Sequence, residues 1–464
     1  MGIPKTLLLL ACLLPIAAEC EQSYRVYTEH PRLWLDARRL RLLRRERERQ
    51  SVRWQQLQLL RKMRRPLPEE PLLAALEYQV ADEEAAGHRA VQWALERAAA
   101  AEATSREELR LLAVVFDWCY PLFGEKGRTR VAERMAHALD SVSSQPGIRS
   151  FSTAALTAIA FADEWPGSET ALTAAFETRW RNEFLPALRE GKLLGAAADR
   201  VAFLEMCHAV QHNLNLDLWN QAPAFFKQFP FSLLLEYYPP PVTIAGHRFR
   251  WPSEASGVRA NPALQGELAR MAELLTAAYE TNSVETQFLQ GWITHDIYRL
   301  RTPSGAPYEY LWMNPYQPGL SYYNVPLHLH DEIGGRLLAR SSWDDDAAWV
   351  GYFDGELQLF ADGRRTLVDL KKQTSPIVFP QLAVVPAAGN STFRVRLAEG
   401  DDVFVVALEP GKTYRIRMGT EKSVPYVAGK GGILHLKAEP GAETTFDLLT
   451  AEPSAPAAER KKGK

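Results

Sequence analysis

The sequence is poor in several things, and each shortage removes a class of explanation. It has four cysteines in 464 residues, too few for a disulfide framework, so the fold must rest on its apolar core. Formal charge is −2, so nothing demands nucleic acid or an anionic membrane as a partner. No apolar run, the short N-terminal one included, is long enough to span a bilayer as a stable helix. Phosphate loops, nucleophile elbows and dinucleotide fingerprints are all missing, and nothing calls for a cofactor. What the chain does have is length for two or three domains and 46% apolar residues to fill their cores.

The N-terminal stretch MGIPKTLLLLACLLPIAAEC carries Lys5, the apolar run 7–14 and the small residues Ala17 and Ala18. This is the pattern of a secretory signal, and it predicts an exported, periplasmic or secreted protein. Cys20 opens a second route, lipid anchoring, although Glu19 stands where lipoprotein processing takes a small residue. Cys119 and Cys207 then remain, both in apolar helical contexts that predict buried free thiols.

The hydrophobic period changes near residue 330. Before it, apolar residues recur at helical spacing, with helices expected over 106–120, 128–142, 153–163, 169–189, 200–213 and 262–279. After it they alternate, and Asp354-Gly355, Asp362-Gly363 and Pro410-Gly411 carry hairpin chemistry. Strands are expected at 336–340, 349–353, 357–360, 366–370, 393–397, 403–408, 414–418 and 433–437. Residues 248–261 read as an extended surface loop. The organisation expected is a signal segment over 1–20, a helical domain over 21–330, an antiparallel β domain over 331–450 and a disordered tail over 451–464. That makes an α+β multidomain protein and excludes an intermixed α/β sheet. The arginine-rich stretch 38–65 reads either as a polyanion patch or as an amphipathic helix closed by Pro66 and Pro68. Its recurrent leucines favour a core-facing helix whose arginines are solvated or paired with Glu46 and Glu48.

Three passages carry a family likeness: HPRLWLDARRLRLLR, LLAVVFDWCYPLF and SSWDDDAAWVGYFDGELQLFADG. In that order, with LEPGKTYRIRM and KGGILHLKAEPG closing the β region, the chain resembles the heparinase II/III-like polysaccharide lyases. The resemblance implies an incomplete (α/α) toroid followed by an antiparallel β-sandwich. It also implies cleavage of acidic, uronate-containing polysaccharide by β-elimination. That reaction needs a group to neutralise the uronate carboxylate, a Tyr or His base and an acid for the leaving oxygen. The family's Asn or His pair, its Tyr after a Gly-rich segment and its β-side His have no counterparts where they are expected. The first helix reads GIRSFSTAALTAIAFADEW, with Ser150 and Ser152; the next segment keeps Gly191 and Gly195 without a Tyr; no His-rich strand follows Trp349.

Other residues offer chemistry. In FLEMCHAVQHNLNLD, a helix puts Glu205, His208 and His212 on one side, with Asn213 alongside. His208 and His212 read as a shared divalent-metal pair or as ordinary helix histidines. As a lyase site, His212 and Asn213 would be the carboxylate-neutralising pair. Tyr316, Tyr322, Tyr323, His328 and His330 crowd the helix-to-strand junction. They either pack it or line a cleft there, with Tyr323 and His330 the expected proton-transfer groups. Asp344, Asp345 and Asp346 read as a solvated turn in preference to a Ca²⁺ site. Trp251, Trp292, Trp312, Tyr237 and Tyr238 are candidate sugar-stacking platforms or core caps. Two functions follow: a lyase of acidic polysaccharide, or a non-catalytic glycan-binding or envelope-associated protein descended from one.

Overall fold

A computed structural model describes residues 24–63, 69–192, 195–244, 247–256, 265–280, 282–295, 305–387, 392–398, 400–419, 421–438 and 444–450. The signal segment with Cys20, the helix-closing Pro66 and Pro68, residues 257–261 and the tail from 451 lie outside them. Among the described residues no helix is long and apolar enough to cross a membrane.

Helices come first: α1 (Ala37–Glu48), α2 (Val52–Lys62), α3 (Glu70–Ala81), α4 (Glu84–Ala99), α5 (Arg106–Trp118), α6 (Glu125–Ser143) and α7 (Ile148–Ala160). The arginine-rich stretch is thus two helices, not one. Gln50 turns into the left-handed region and the Ser51 side chain caps α2 through the Trp54 N–H. Its arginines serve the interior: Arg53 donates to the carbonyls of Glu309 and Met313, and Arg61 pairs with Glu77. The stretch expected over 169–189 is one run in three windings, α8 (Ser168–Thr173), a π-helical segment (Ala174–Phe184) and α9 (Leu185–Arg189). Phe176, Trp180 and Phe184, four apart, are all buried, and the wider i→i+5 winding keeps that spacing in line. Next come α10 (Ala197–Leu214), α11 (Pro223–Leu235), α12 (Gln265–Ala278), α13 (Val284–His295) and α14 (Ala306–Trp312).

Helices α3, α5, α7, α10 and α12 pack side by side in that order, while α4, α6 and α13 lie against them from outside. Helix α14 packs on both α12 and α2, and α1 packs on α3. Two of the passages quoted above lock together in this core. The Asp117 carboxylate accepts from the main-chain N–H groups of Arg32 and Leu33, and the Trp118 indole donates to the Leu33 carbonyl at 2.8 Å.

The loop expected over 248–261 is partly a strand. Strand β2 (His247–Pro252) pairs antiparallel with β1 (Tyr237–Ile244), with a shift in register between Tyr238 and Val242. The interruption falls at Pro239-Pro240-Pro241, which lack ladder donors.

The C-terminal region forms three sheets. The first is a meander of β3 (His328–Asp331), β4 (Arg336–Arg340), β5 (Trp349–Phe353), β6 (Glu356–Ala361) and β7 (Arg364–Val368). The second has the order β14 (Leu434–Lys437), β11 (Asp402–Val406), β9 (Leu382–Pro386), β8 (Ile377–Phe379). The third has the order β10 (Thr392–Val395), β15 (Thr444–Thr450), β12 (Thr413–Met418), β13 (Val424–Val427). Asp354-Gly355 and Asp362-Gly363 turn the meander with positive φ at both residues, as tight two-residue hairpins require.

The expected two-layer antiparallel sandwich needs correcting in two respects. Strands β9 and β11 run parallel, and these two central strands of the second sheet are buried on both faces. Leu382, Val384, Phe404 and Val406 pack toward the meander. Ala383, Val385, Val403 and Val405 pack toward the third sheet. Continuous burial is why these strands read as unbroken apolar runs. The meander's other face joins the helical core through Leu338, Trp349 and Phe360. Trp349 donates to the Leu235 carbonyl at 2.9 Å, and Tyr238 stacks on Phe360.

Candidate functional site

The side-by-side helices share a polar seam. Arg106 opens α5 and donates to Ser150 Oγ in the first turn of α7 at 3.2 Å. Arg149 beside it meets Asp199, in the first turn of α10, at 2.7 Å. These contacts bring three helix N-termini together, pointing the same way; Ser105, Glu108 and Asp199 cap part of their N–H groups, and the helix dipoles with the N–H groups left over favour an anion. Arg106 and Arg149 keep 29% and 27% of their side chains exposed, so the place is open to solvent. Burial works against charge on Glu107, but its own backbone N–H, Arg106 and Arg149 outweigh it and hold its carboxyl below the usual range.

Deeper along the seam, Arg110 grips Glu205 through two bonds of 2.8 and 2.7 Å and reaches Glu69 at 3.0 Å. Tyr308 on α14 bonds both Arg110 and Glu69. Arginines and carboxylates answer one another here, so attraction for an anion comes from the helix ends and not from net charge.

The residues singled out in the sequence fall in separate places. Asn213 is buried, and its amide donates to the carbonyls of Arg32 at 3.0 Å and Ala209 at 2.7 Å. Its oxygen accepts from Thr28. Both hydrogens are spent on main chain, so Asn213 is a packing residue and cannot neutralise a substrate carboxylate. His212 beside it is exposed. His208 faces inward, with Nε2 bonded to the Leu274 carbonyl at 2.9 Å and its ring against Trp312. Burial, reinforced by the Arg39 guanidinium, pushes His208 down to about 3. With one histidine held inward by that bond and the other facing solvent, the pair makes no converging metal site. Among the described residues no group of three or more His, Cys, Asp and Glu is arranged to hold a metal ion.

Tyr323 and His330 do not meet either. Tyr323 is 51% exposed and lines a groove beside α13 with Gln290, Thr294 and Gln317. His330 lies on β3, where it and His328 (two residues apart, on one strand face) both rest against the Phe404 ring of β11. Asp402 on β11 gathers His328 at 3.3 Å, His435 at 2.5 Å and Lys437 at 2.5 Å. Burial opposes charge on Asp402, but Lys437 and the two histidines overcome it and lower its carboxyl. Burial likewise lowers His330, whose ring nitrogens have no hydrogen-bond partner.

Sequence reasoning missed Asp402, His435 and Lys437, and the first-turn residues Arg106, Arg149 and Asp199. The alternation in HLH at 328–330 and HLK at 435–437 was the available signal, since period two puts His328 with His330, and His435 with Lys437, on one face. Asp344, Asp345 and Asp346 are an exposed turn, and Cys119 and Cys207 are buried free thiols, both as expected. Compared with known proteins, the chain matches no family model, and no curated protein is significantly similar to it.

Proposed function

We infer that this is an exported glycan-binding protein built on the helical toroid and β framework of the heparinase II/III-like lyases, holding acidic polysaccharide without cleaving it. The supporting observation is the meeting of three helix N-termini at Arg106 and Arg149. It is suited to a uronate carboxylate and sits on a row of side-by-side helices with further helices packed against it, an arrangement that supports the toroid reading. Elimination needs a carboxylate-neutralising amide and a proton-transfer pair acting on one sugar. Here Asn213 is spent on main chain, and Tyr323 and His330 have different neighbours.

The cluster of His328, His330, His435 and Asp402 favours a second reading, in which His330 is a proton acceptor in a rebuilt lyase site. One experiment separates the two. Purified protein is incubated with alginate, heparin and chondroitin, following both retardation in polysaccharide-containing gels and ultraviolet absorbance of the unsaturated product. Binding with flat absorbance is expected, weakened several-fold by Arg149→Ala and by added salt. Rising absorbance that is lost in His330→Ala would establish the lyase instead.

A further inference from the structure

The groove beside α13 is a second site, with chemistry unlike the seam. Its walls are the last turns of α13 and the strap 313–321 that leads from α14 to the sheets. Among the described residues its lining, which includes Gln290, Thr294, Gln317, Ser321 and Tyr323, carries no ionisable acid or base apart from the tyrosine, and it is open to solvent. A charged sugar acid meets no counter-ion among those residues.

Two amide oxygens in this lining lack partners. Gln290 is 2% exposed, and its Oε1 is buried without a hydrogen bond; so is Oε1 of Gln317. A buried acceptor left unmatched costs roughly 1–3 kcal/mol, so each calls for a donor from outside. A hydroxyl meets an amide from either end, as donor to its oxygen or acceptor from its nitrogen. The exposed ring of Tyr323 stands beside them, a face suited to the C–H side of a pyranose.

The groove is held in shape without ligand. Leu320 N–H donates to the Gln287 carbonyl at 2.9 Å. Gly291 lets the strap lie on the helix, for a Cβ there would sit 1.7 Å from the Leu320 carbonyl oxygen. Further along, Tyr316 anchors the strap to Glu46 at 2.6 Å. Little ordering remains to be done on binding.

We propose that this groove is a subsite for a neutral, hydroxyl-rich sugar ring, read by Gln290 and Gln317 and stacked on Tyr323. It rests on the glycan reading above and extends it, because it selects uncharged residues where the seam selects carboxylates.

The test is calorimetric titration of the full chain with cellohexaose and mannohexaose, and in parallel with an alginate hexamer. Saturable binding of at least one neutral hexasaccharide is expected. Gln290→Leu and Tyr323→Ala should each weaken it roughly tenfold or more, since each removes a polar or stacking contact. Gln290→Leu should leave the melting temperature unchanged or raised, because an unmatched acceptor is removed. Alginate binding should be untouched by either variant. Failure of the wild-type protein to bind either neutral sugar, or binding unaltered in both variants, overturns the subsite. A melting temperature lowered by Gln290→Leu with unchanged affinity also overturns it, as it marks a structural amide. Loss of alginate binding alone counts against the acidic-polysaccharide reading and leaves this subsite standing.

Discussion

Arg110 and Glu205 face each other across two hydrogen bonds of 2.8 and 2.7 Å, joining α5 to α10 where Glu205 is 1% exposed. A pair this deep is held by its own completeness, because either partner alone is a stranded charge.

Replacing Arg110 by Ala should therefore destabilise the protein by about 3–5 kcal/mol, read from the urea midpoint. Adding Glu205→Gln to that variant should recover part of the loss. A cost under 1 kcal/mol for Arg110→Ala would show that water reaches the pair.

His208 should make stability fall in mild acid. Its folded value of about 3 lies below the ordinary 6.5, so between those values the unfolded chain holds a proton that the folded chain refuses. Its contribution is complete above about pH 6.5 and is lost as pH falls toward 3, at no more than about 1.4 kcal/mol per unit. The neighbouring Arg39 guanidinium stays charged throughout this window. His208→Gln keeps a donor for the Leu274 carbonyl and should flatten the slope of urea stability against pH between 6 and 4. An unchanged slope would place the acid sensitivity elsewhere.

Trp349 ties the meander to the helices by its bond to the Leu235 carbonyl and by its ring packing on Tyr238. Trp349→Ala should cost about 3–5 kcal/mol. It should also part the thermal transitions of the two regions, with far-ultraviolet dichroism at helix and strand wavelengths no longer melting together. Coincident transitions in the variant would mean that the remaining contacts suffice to couple them.

Local chemistry was readable in the sequence wherever it acts within a few residues. The Asp-Gly turns, the inward thiols and the order of helices before strands all depend on neighbours in the chain. What escaped depends on partners far away. The left-handed Gln50 divides one amphipathic pattern into two helices, and nothing in the leucine spacing marks it. The apolar runs of β9 and β11 do not say that a sheet covers each face, nor that the two strands run parallel. Three prolines hide a hairpin whose pairing, Tyr238 opposite Trp251, spans a bulge. Asn213 looked available because its takers, the carbonyls of Arg32 and Ala209, are main-chain groups that leave no trace in residue type. Gln290 drew no attention for the converse reason, since only burial makes an amide conspicuous.

The middle sheet has a consequence for how the protein is made. Its outermost strand, β14, comes from residues 434–437 and is made after β9 and β11, while the helices that receive the meander emerge far earlier. Until β5 and β6 follow, Tyr238, Trp251 and Leu235 lack the Trp349 and Phe360 rings that cover them, and until β14 follows one edge of β11 has no partner. Nascent chains at this stage are prone to associate with one another and are natural clients for a holding chaperone. A chain cut short before β14 would leave that edge of β11 unpaired, a template on which copies can join.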